Sequence, residues 1–209
     1  SKTMSSIKLT ADSNGGTFEL KAPSSSSNTR VLTLPDTANG TVLTTTNPKA
    51  GNAVQVVQTV KTDKFSTTSF TSYTDIGPQG SISATKAGNK IMVEIMLNIG
   101  CDDGRHIAFR LEKDGAAVSG AQGDAAGSNR KQGCFHLYSE DQNGKHNQTN
   151  YFLKYLDTAA DTNAHTYNIA CIDWGGQGTT QITCNSSESD GDQSFESRTI
   201  STVTLTEIA

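Results

Sequence analysis

The sequence is short of the residues that build cores. Apolar side chains make up 33% of its 209 residues and aromatic ones only 6%, less than a globular domain usually carries. With so little to bury, a lone chain would struggle to offset the conformational entropy lost on folding. Two readings follow: a loose chain, or one that completes its core with further copies of itself. Cationic runs are missing too. The longest is the pair Arg130-Lys131, and the formal charge is −4. Binding along a phosphate backbone needs a concentrated positive surface, so no nucleic-acid partner is expected. Nor does any run approach the roughly 20 apolar residues that span a bilayer. The longest apolar segment, Ile91 to Ile99, is interrupted by Glu94 and Asn98, and no membrane insertion is expected. Ser1-Lys2-Thr3-Met4 leads straight into a strand-like pattern, which points to a soluble protein made in a cytoplasm without a leader.

Helical periodicity is also absent, because Gly, Ser or Thr interrupts every candidate stretch. What is there instead is alternation with period two. In Ile91 to Ile99 the odd positions Ile91, Val93, Ile95, Leu97 and Ile99 form an unbroken apolar face, while Met92, Glu94, Met96 and Asn98 form a mixed one. Such a strand belongs near the middle of a sheet with its second side partly wet. Further strands are expected over 54–61, 68–76, 81–86, 106–113, 134–139, 151–156, 165–173, 180–185 and 197–208, the last with a bulge. Turns are expected at Gly77-Pro78-Gln79-Gly80, Asn143-Gly144 and Asp190-Gly191. Strands so spaced, with no helices between them, argue for an all-β fold, an antiparallel β-sandwich or jelly roll.

The first fifty residues differ in kind. Ile7 to Thr10, Phe18 to Lys21, Val31 to Pro35 and Val42 to Thr45 read as four short strands, separated by Asn14-Gly15-Gly16, by Ser24 to Ser27 and by Asn39-Gly40. Such a set buries too few large side chains to stand alone, and winding with identical chains is the natural remedy. Pro48 and Gly51 read as a junction. A stem or anchoring module over 1–50 and a β-sandwich head over 51–209 are therefore expected.

Several segments together resemble a known family. Gly15-Gly16-Thr17-Phe18-Glu19-Leu20-Lys21-Ala22-Pro23, then Leu32-Thr33-Leu34-Pro35-Asp36 and Gly40-Thr41-Val42-Leu43-Thr44-Thr45, resemble a short module of marine phage tail-fibre and virion appendage proteins. Val56 to Val60, Gly123 to Gly127 with Arg130, and Arg198 to Ser201 ahead of Leu205 to Ile208 are similar to segments of the C-terminal β domains that follow it. The resemblance implies a structural protein of a virion, assembled in the host cytoplasm, homotrimeric, with a jelly-roll-like outer head. Its partners would be other copies of itself, tail or capsid proteins bound through the N-terminal module, and a host-surface glycan. Two roles fit: a tail fibre or appendage that attaches to the host, and a capsid decoration or head-fibre protein.

Catalysis finds little support. Two carboxylates about 5 to 10 Å apart would be needed to hydrolyse a polysaccharide, and the tight acidic groups are Asp102-Asp103, Glu140-Asp141 and Asp190 with Asp192. All three lie in turn-like stretches, where Asp is favoured for local backbone hydrogen bonds. No enzymatic role and no cofactor is expected. Glu188-Ser189-Asp190-Gly191-Asp192 has alternating carboxylates that suit calcium, but its spacing departs from the EF-hand loop. The four histidines are scattered; His106 and His136 fall in expected strands, where a buried or half-buried structural role is the plain reading. The four cysteines lack metal-knuckle spacing and read as buried thiols. Cys171 and Cys184 flank Trp174-Gly175-Gly176-Gln177-Gly178, and a hairpin there would allow a cross-strand disulfide. For recognition, Trp174 at that hairpin tip would stack on a sugar or pack back on the fold. The polar loop 140–150, with Asn143, Lys145, His146 and Asn147, offers donors and acceptors for glycan hydroxyls.

Overall fold

The computed structural model describes residues 6–11, 13–21, 23–31, 39, 48–68, 71–101, 105–125, 127–139, 144–173 and 181–209. Among them there is no α-helix, and every strand pair is antiparallel. The chain divides into two compact units, Ser1–Val42 and Leu43–Ala209.

Among its described residues, the first unit holds one hairpin. β1 (Ser6–Thr10) pairs with β2 (Thr17–Lys21) in a register that sets Ile7 opposite Leu20. Asn14 and Gly15 turn the chain with φ of 64° and 66°, a left-handed conformation that these two residue types adopt most readily. Ile7, Leu9 and Leu20 stay 63%, 57% and 46% exposed. Val31, expected to open a third strand, is exposed and outside any strand. The rest of the two further strands expected there lies outside the described residues.

The second unit is an eight-stranded sandwich with three short additions. Its principal strands are β3 (Ala53–Lys61), β5 (Thr74–Ser83), β6 (Lys90–Cys101), β7 (Arg105–Lys113), β9 (Phe135–Ser139), β10 (Thr149–Thr158), β11 (Ala164–Asp173) and β13 (Ser201–Ile208). One sheet runs β3-β13-β6-β10 and the other β5-β11-β7-β9. Counted along the chain, the orders are first-eighth-third-sixth and second-seventh-fourth-fifth, the winding of a jelly roll. β12 (Ile182–Cys184) pairs with the far end of β6 and carries β4 (Phe65–Thr67) beside it. β8 (Ala116–Ala117) folds back on β7 through Asp114 and Gly115, both at positive φ, as a two-residue hairpin loop requires.

The alternation of β6 does what its sequence suggests. Ile91, Val93, Ile95, Leu97 and Ile99 are all buried, and they meet Val203 and Leu205 of β13 and Ile107, Phe109, Leu111 and Ile169 of the facing sheet. The last expected strand begins at Ser201 rather than 197, and its register slips between Glu207 and Ile208. Contrary to the inference from composition, this core closes within one chain. The apolar residues of the sequence are concentrated on inward faces of the second unit, so low overall content does not leave its core incomplete.

Gly77-Pro78-Gln79-Gly80 is not a turn but part of β5. Between Ile76 and Gly80 the register on β11 slips around Asn168, a bulge in an edge strand. There the missing N–H of proline breaks no ladder bond that the sheet needs. A Cβ on Gly77 would come within 2.5 Å of Leu97 and one on Gly80 within 2.9 Å of Val203, so both glycines let the facing sheet approach. The expected strand 68–76 is correspondingly shorter: its described residues join a strand only from Thr74.

Charged groups tie the ends of the sandwich. The buried Glu207 carboxylate accepts from Gln55 Nε2 (2.6 Å), Thr85 N (2.8 Å), Thr85 Oγ1 (2.8 Å) and Asn89 Nδ2 (2.6 Å). Burial opposes its ionisation, and the four donors outweigh that and hold its pKa below the ordinary value. Across the sheets, Asp157 of β10 accepts from Tyr167 Oη of β11 (2.7 Å) and from Lys113 Nζ of β7 (3.0 Å).

Candidate functional site

Of the expected recognition residues, Trp174 and Asn143 lie outside the described residues. Lys145 and Asn147 are exposed, but His146 is not free. A short 3-10 turn, Gly144–His146, aims its ring at Glu196, with Nδ1 2.5 Å from Oε1. Phe195 packs edge-on against it at 5.3 Å. Ser189 and His146 hydrogen-bond the Glu196 carboxylate and lower its pKa. Gln148 donates to Ser197 O (2.7 Å) and accepts from Thr199 Oγ1 (2.7 Å). The segment 144–148 is thus clamped to 189–199, and only Lys145 and Asn147 project from it as open polar groups.

The 188–192 stretch is also committed to internal bonds. Asp190 accepts from Arg198 Nε (2.6 Å) and Nη2 (2.7 Å), from Lys64 Nζ (3.0 Å) and from Ser186 Oγ (2.8 Å). Burial works against its charge, but Ser186, Arg198 and Lys64 win and bring its pKa to about 2. A carboxylate already matched by two cations has little left for calcium, and no three metal-ligating side chains converge among the described residues. Asp102-Asp103 and Glu140-Asp141 lie outside those residues. The fold does bring Asp75 near Glu112; burial and then the Glu112 charge raise the Asp75 pKa. Asn168 and Gln79 donate to Asp75 (2.8 and 2.9 Å), and Arg110 Nε donates to Glu112 (2.8 Å). The pair sits in a satisfied network, with Glu112 buried and Asp75 exposed.

The cysteine hairpin does not form. Cys171 lies in β11 of one sheet, Cys184 in β12 of the other, and none of the four cysteines forms a disulfide. Burial pushes the Cys171 thiol up to about 12 and that of Cys134 to about 11, so they act as small apolar side chains rather than nucleophiles.

An open groove of about 580 Å³ lies instead on the β7–β9 side of the second sheet, within the size range of small-molecule sites. Cross-strand register builds it: His106 faces Tyr138, and Ala108 faces His136. His106 stacks on Tyr138 (centroids 4.2 Å apart, planes 13° off parallel) and on His136 (5.6 Å, 7°). The three rings form a parallel row, and the small Ala108 leaves space beside it. Both histidines are exposed rather than buried or half-buried, because alternation on β7 turns Ile107 and Phe109 inward. The opposite wall is the segment 129–133. It is held by Cys134 N to Phe109 O (2.7 Å), Gly123 N to Gly133 O (3.1 Å) and Tyr73 Oη to Gln132 O (3.1 Å). A Cβ at Gly133 would stand 2.5 Å from Phe109 O, so glycine alone lets this wall lie against β7. Among the described residues, the charged side chains that line the groove are Arg130 and Lys131.

The outer face of the other sheet carries two apolar rows set by register. Val56, Thr206, Met92 and Leu156 form one; Val60, Thr202, Met96 and Phe152 form the second. Between them Glu94 pairs with Lys154 at 3.1 Å and Gln58 donates to Thr204 at 2.9 Å. Val56 and Phe152 are each 61% exposed.

No family model and no curated protein matches the sequence. Among solved structures, the C-terminal domain of EclA, a sugar-binding protein, aligns at 12% identity and TM-score 0.32, covering 59% of this chain and 74% of that one. Chains from infectious bursal disease virus align at 13% identity and TM-score 0.36 (Gx strain) and at 12% and 0.32 (Gt strain), each covering 96% of this chain and 46% of the other. The chain spans under half the length of those virus chains. At such identities and scores none of these matches assigns a function to it.

Proposed function

We propose that the protein is a non-enzymatic structural component of a phage virion, a homotrimeric tail fibre or appendage that attaches the particle to its host. The observation that carries this reading is the contrast between the units. A jelly roll that closes its own core, and is open to solvent in a groove, is joined in one chain to a hairpin whose Ile7, Leu9 and Leu20 remain exposed. An isolated two-stranded hairpin is marginal in water, so the first unit calls for other copies or a virion protein to cover it. The second needs no such cover and is suited to display. Attachment would then be adhesion, three shallow sites acting together through multivalency. The resemblance of the N-terminal segments to fibre modules supports the same assignment. Purified protein is expected to bind host cells and to compete with adsorption of the phage; failure of both would refute it. Light scattering is expected to give three times the 22.1 kDa chain mass, falling to one after removal of residues 1–42.

A second reading, capsid decoration or a head fibre, is favoured by the apolar rows through Val56, Leu156, Val60 and Phe152. A near-neutral face of this kind suits burial against a lattice neighbour. Particles lacking the protein would then lose heat stability while still adsorbing, and the copy number would run to hundreds per particle. Unchanged particle stability, or a few tens of copies, counts against it.

A further inference from the structure

We infer that the outer face of the β3-β13-β6-β10 sheet binds the same face of a second copy of the chain, across a two-fold axis parallel to its strands. The inference goes beyond attachment and does not depend on what the head recognises. The face is bare: Val56 and Phe152 are 61% exposed, Leu156 47% and Val60 46%. Exposed apolar residues scattered singly need no cover, but a contiguous set on one sheet face marks an interface. The symmetry of the rows points to a second copy as the cover. An axis running between β13 and β6 lays β3 over β10 of the second copy and β13 over its β6. Each row then falls on itself. Val56 meets Leu156, Val60 meets Phe152, and Thr206 and Thr202 meet Met92 and Met96. In the middle row Gln58 meets Lys154 and Thr204 meets Glu94, so no two like charges stand opposite.

The bonds within one copy leave the matching groups over. Gln58 donates through Nε2 to Thr204 Oγ1 (2.9 Å), which leaves Gln58 Oε1 to accept from Lys154 and the Thr204 hydroxyl hydrogen to reach Glu94. Glu94 and Lys154 themselves pair through Oε1 alone, at 3.1 Å. A self-complementary patch of this kind is what a two-fold contact requires, and two sheets of like twist stack with their strands nearly aligned. An axis perpendicular to the strands would instead set Glu94 on Glu94 and Lys154 on Lys154, which costs affinity. A lipid surface would strand the Glu94–Lys154 pair without water, and an unrelated protein gives no reason for the match. Three rows of four side chains cover about 400 Å² per copy, from a strand spacing of about 4.8 Å and about 3.4 Å per residue. That lies at the low end of specific interfaces, among weak and transient associations. The contact therefore forms where copies are crowded, as on a particle, and leaves the masses expected in dilute solution unchanged.

The test is sedimentation velocity of full-length protein at about 5 µM and about 500 µM, on the weak side of the micromolar affinities that larger interfaces reach. The mass is expected to rise at least twofold between the two. Val60→Asp and Phe152→Asp are each expected to raise the concentration needed at least about tenfold. Melting temperatures near that of the parent protein establish that the variants fold; where one does not, Gln58→Lys, which sets a like charge opposite Lys154, takes its place. A short bismaleimide reads the orientation, with the parent protein as control for its own thiols. Val60→Cys combined with Phe152→Cys is expected to link chains in pairs at the higher concentration, whereas Val56→Cys combined with Val60→Cys is not. Linkage through 56 and 60 instead, or a rise in mass that both Asp variants leave unchanged, overturns the inference. No rise at all overturns it as well, and leaves the face to a lattice neighbour of different sequence. Flotation with neutral phosphatidylcholine vesicles in place of self-association overturns it in favour of a membrane surface.

Discussion

The hairpin of the first unit and β6–β13 of the second are made from the same kind of sequence, short alternating stretches of Ile, Leu, Val and Thr, yet they end in opposite environments. Ile7 and Leu9 stay largely in solvent, while Ile95 and Leu205 are wholly buried. The difference does not come from alternation but from what stands across each face. β6 lies between β10 and β13 and under the facing sheet, whereas among the described residues β1 pairs with β2 alone. Alternation says that a strand has an apolar side; it takes a second layer to make that side worth about 2 kcal/mol per large residue.

The sharpest way to test this contrast is to separate the units. A peptide of residues 1–42 is expected to show no cooperative melting by circular dichroism, while 43–209 keeps the melting transition of the head. A peptide that melts cooperatively as a monomer would mean that the hairpin needs no partner. Next in size, Ile95→Ala is expected to destabilise the head by about 3 kcal/mol, as large-to-small changes in closed cores do. Ile7→Ala should stay within about 0.5 kcal/mol in dilute monomer, and a larger effect under oligomerising conditions would locate the missing cover. Denaturant titration reads both. Glu207→Ala is expected to cost about 2–3 kcal/mol, since it strands the buried Asn89 amide and the part-buried donors of Gln55 and Thr85.

Smaller effects follow from titration. The pKa of Asp190 is held at about 2, below the roughly 3.9 of an unfolded aspartate. Its contribution is therefore complete above about pH 4 and lost as pH falls toward 2. Lys64→Met and Arg198→Met should each flatten that part of the pH–stability curve. His165 shifts the other way: hydrogen bonds to Asp114 and Asp161 raise its pKa. Its contribution is present below the unfolded histidine value of about 6.5 and fades as pH rises through the raised one. His165→Gln should remove that slope, with only a slight change in melting temperature.

The sandwich was legible because alternation survives in sequence even where apolar content is low, as in Ile91 to Ile99 and Ala164 to Asp173. β5 was not, because Gly77 and Pro78 carry turn chemistry in any local reading. Only the approach of Leu97 and Val203 from the other sheet explains why they sit in a strand. The groove was hidden for a related reason. His106, Ala108, His136 and Tyr138 acquire meaning from the β7–β9 register, which joins positions some thirty residues apart. Loop 140–150 looked open because polar side chains suggest solvent; the clamp of His146 to Glu196 depends on a segment fifty residues away. Trp174 and Asn143 lie outside the described residues.

The place of β13 has a consequence in time. It fills the gap between β3 and β6, and about 100 residues separate the end of β6 from its start. At about 5–20 residues per second, a ribosome needs on the order of 5–20 s to deliver it. Throughout that interval β3 and β6 each present a bare edge toward the vacant centre, a template for wrong pairing. Neighbouring nascent chains on one message are thus most exposed to exchange of this strand just before the head can close. Spacing between ribosomes, and whatever holdase binds the unfinished sheet, would govern the yield of the protein as strongly as the stability of its finished core.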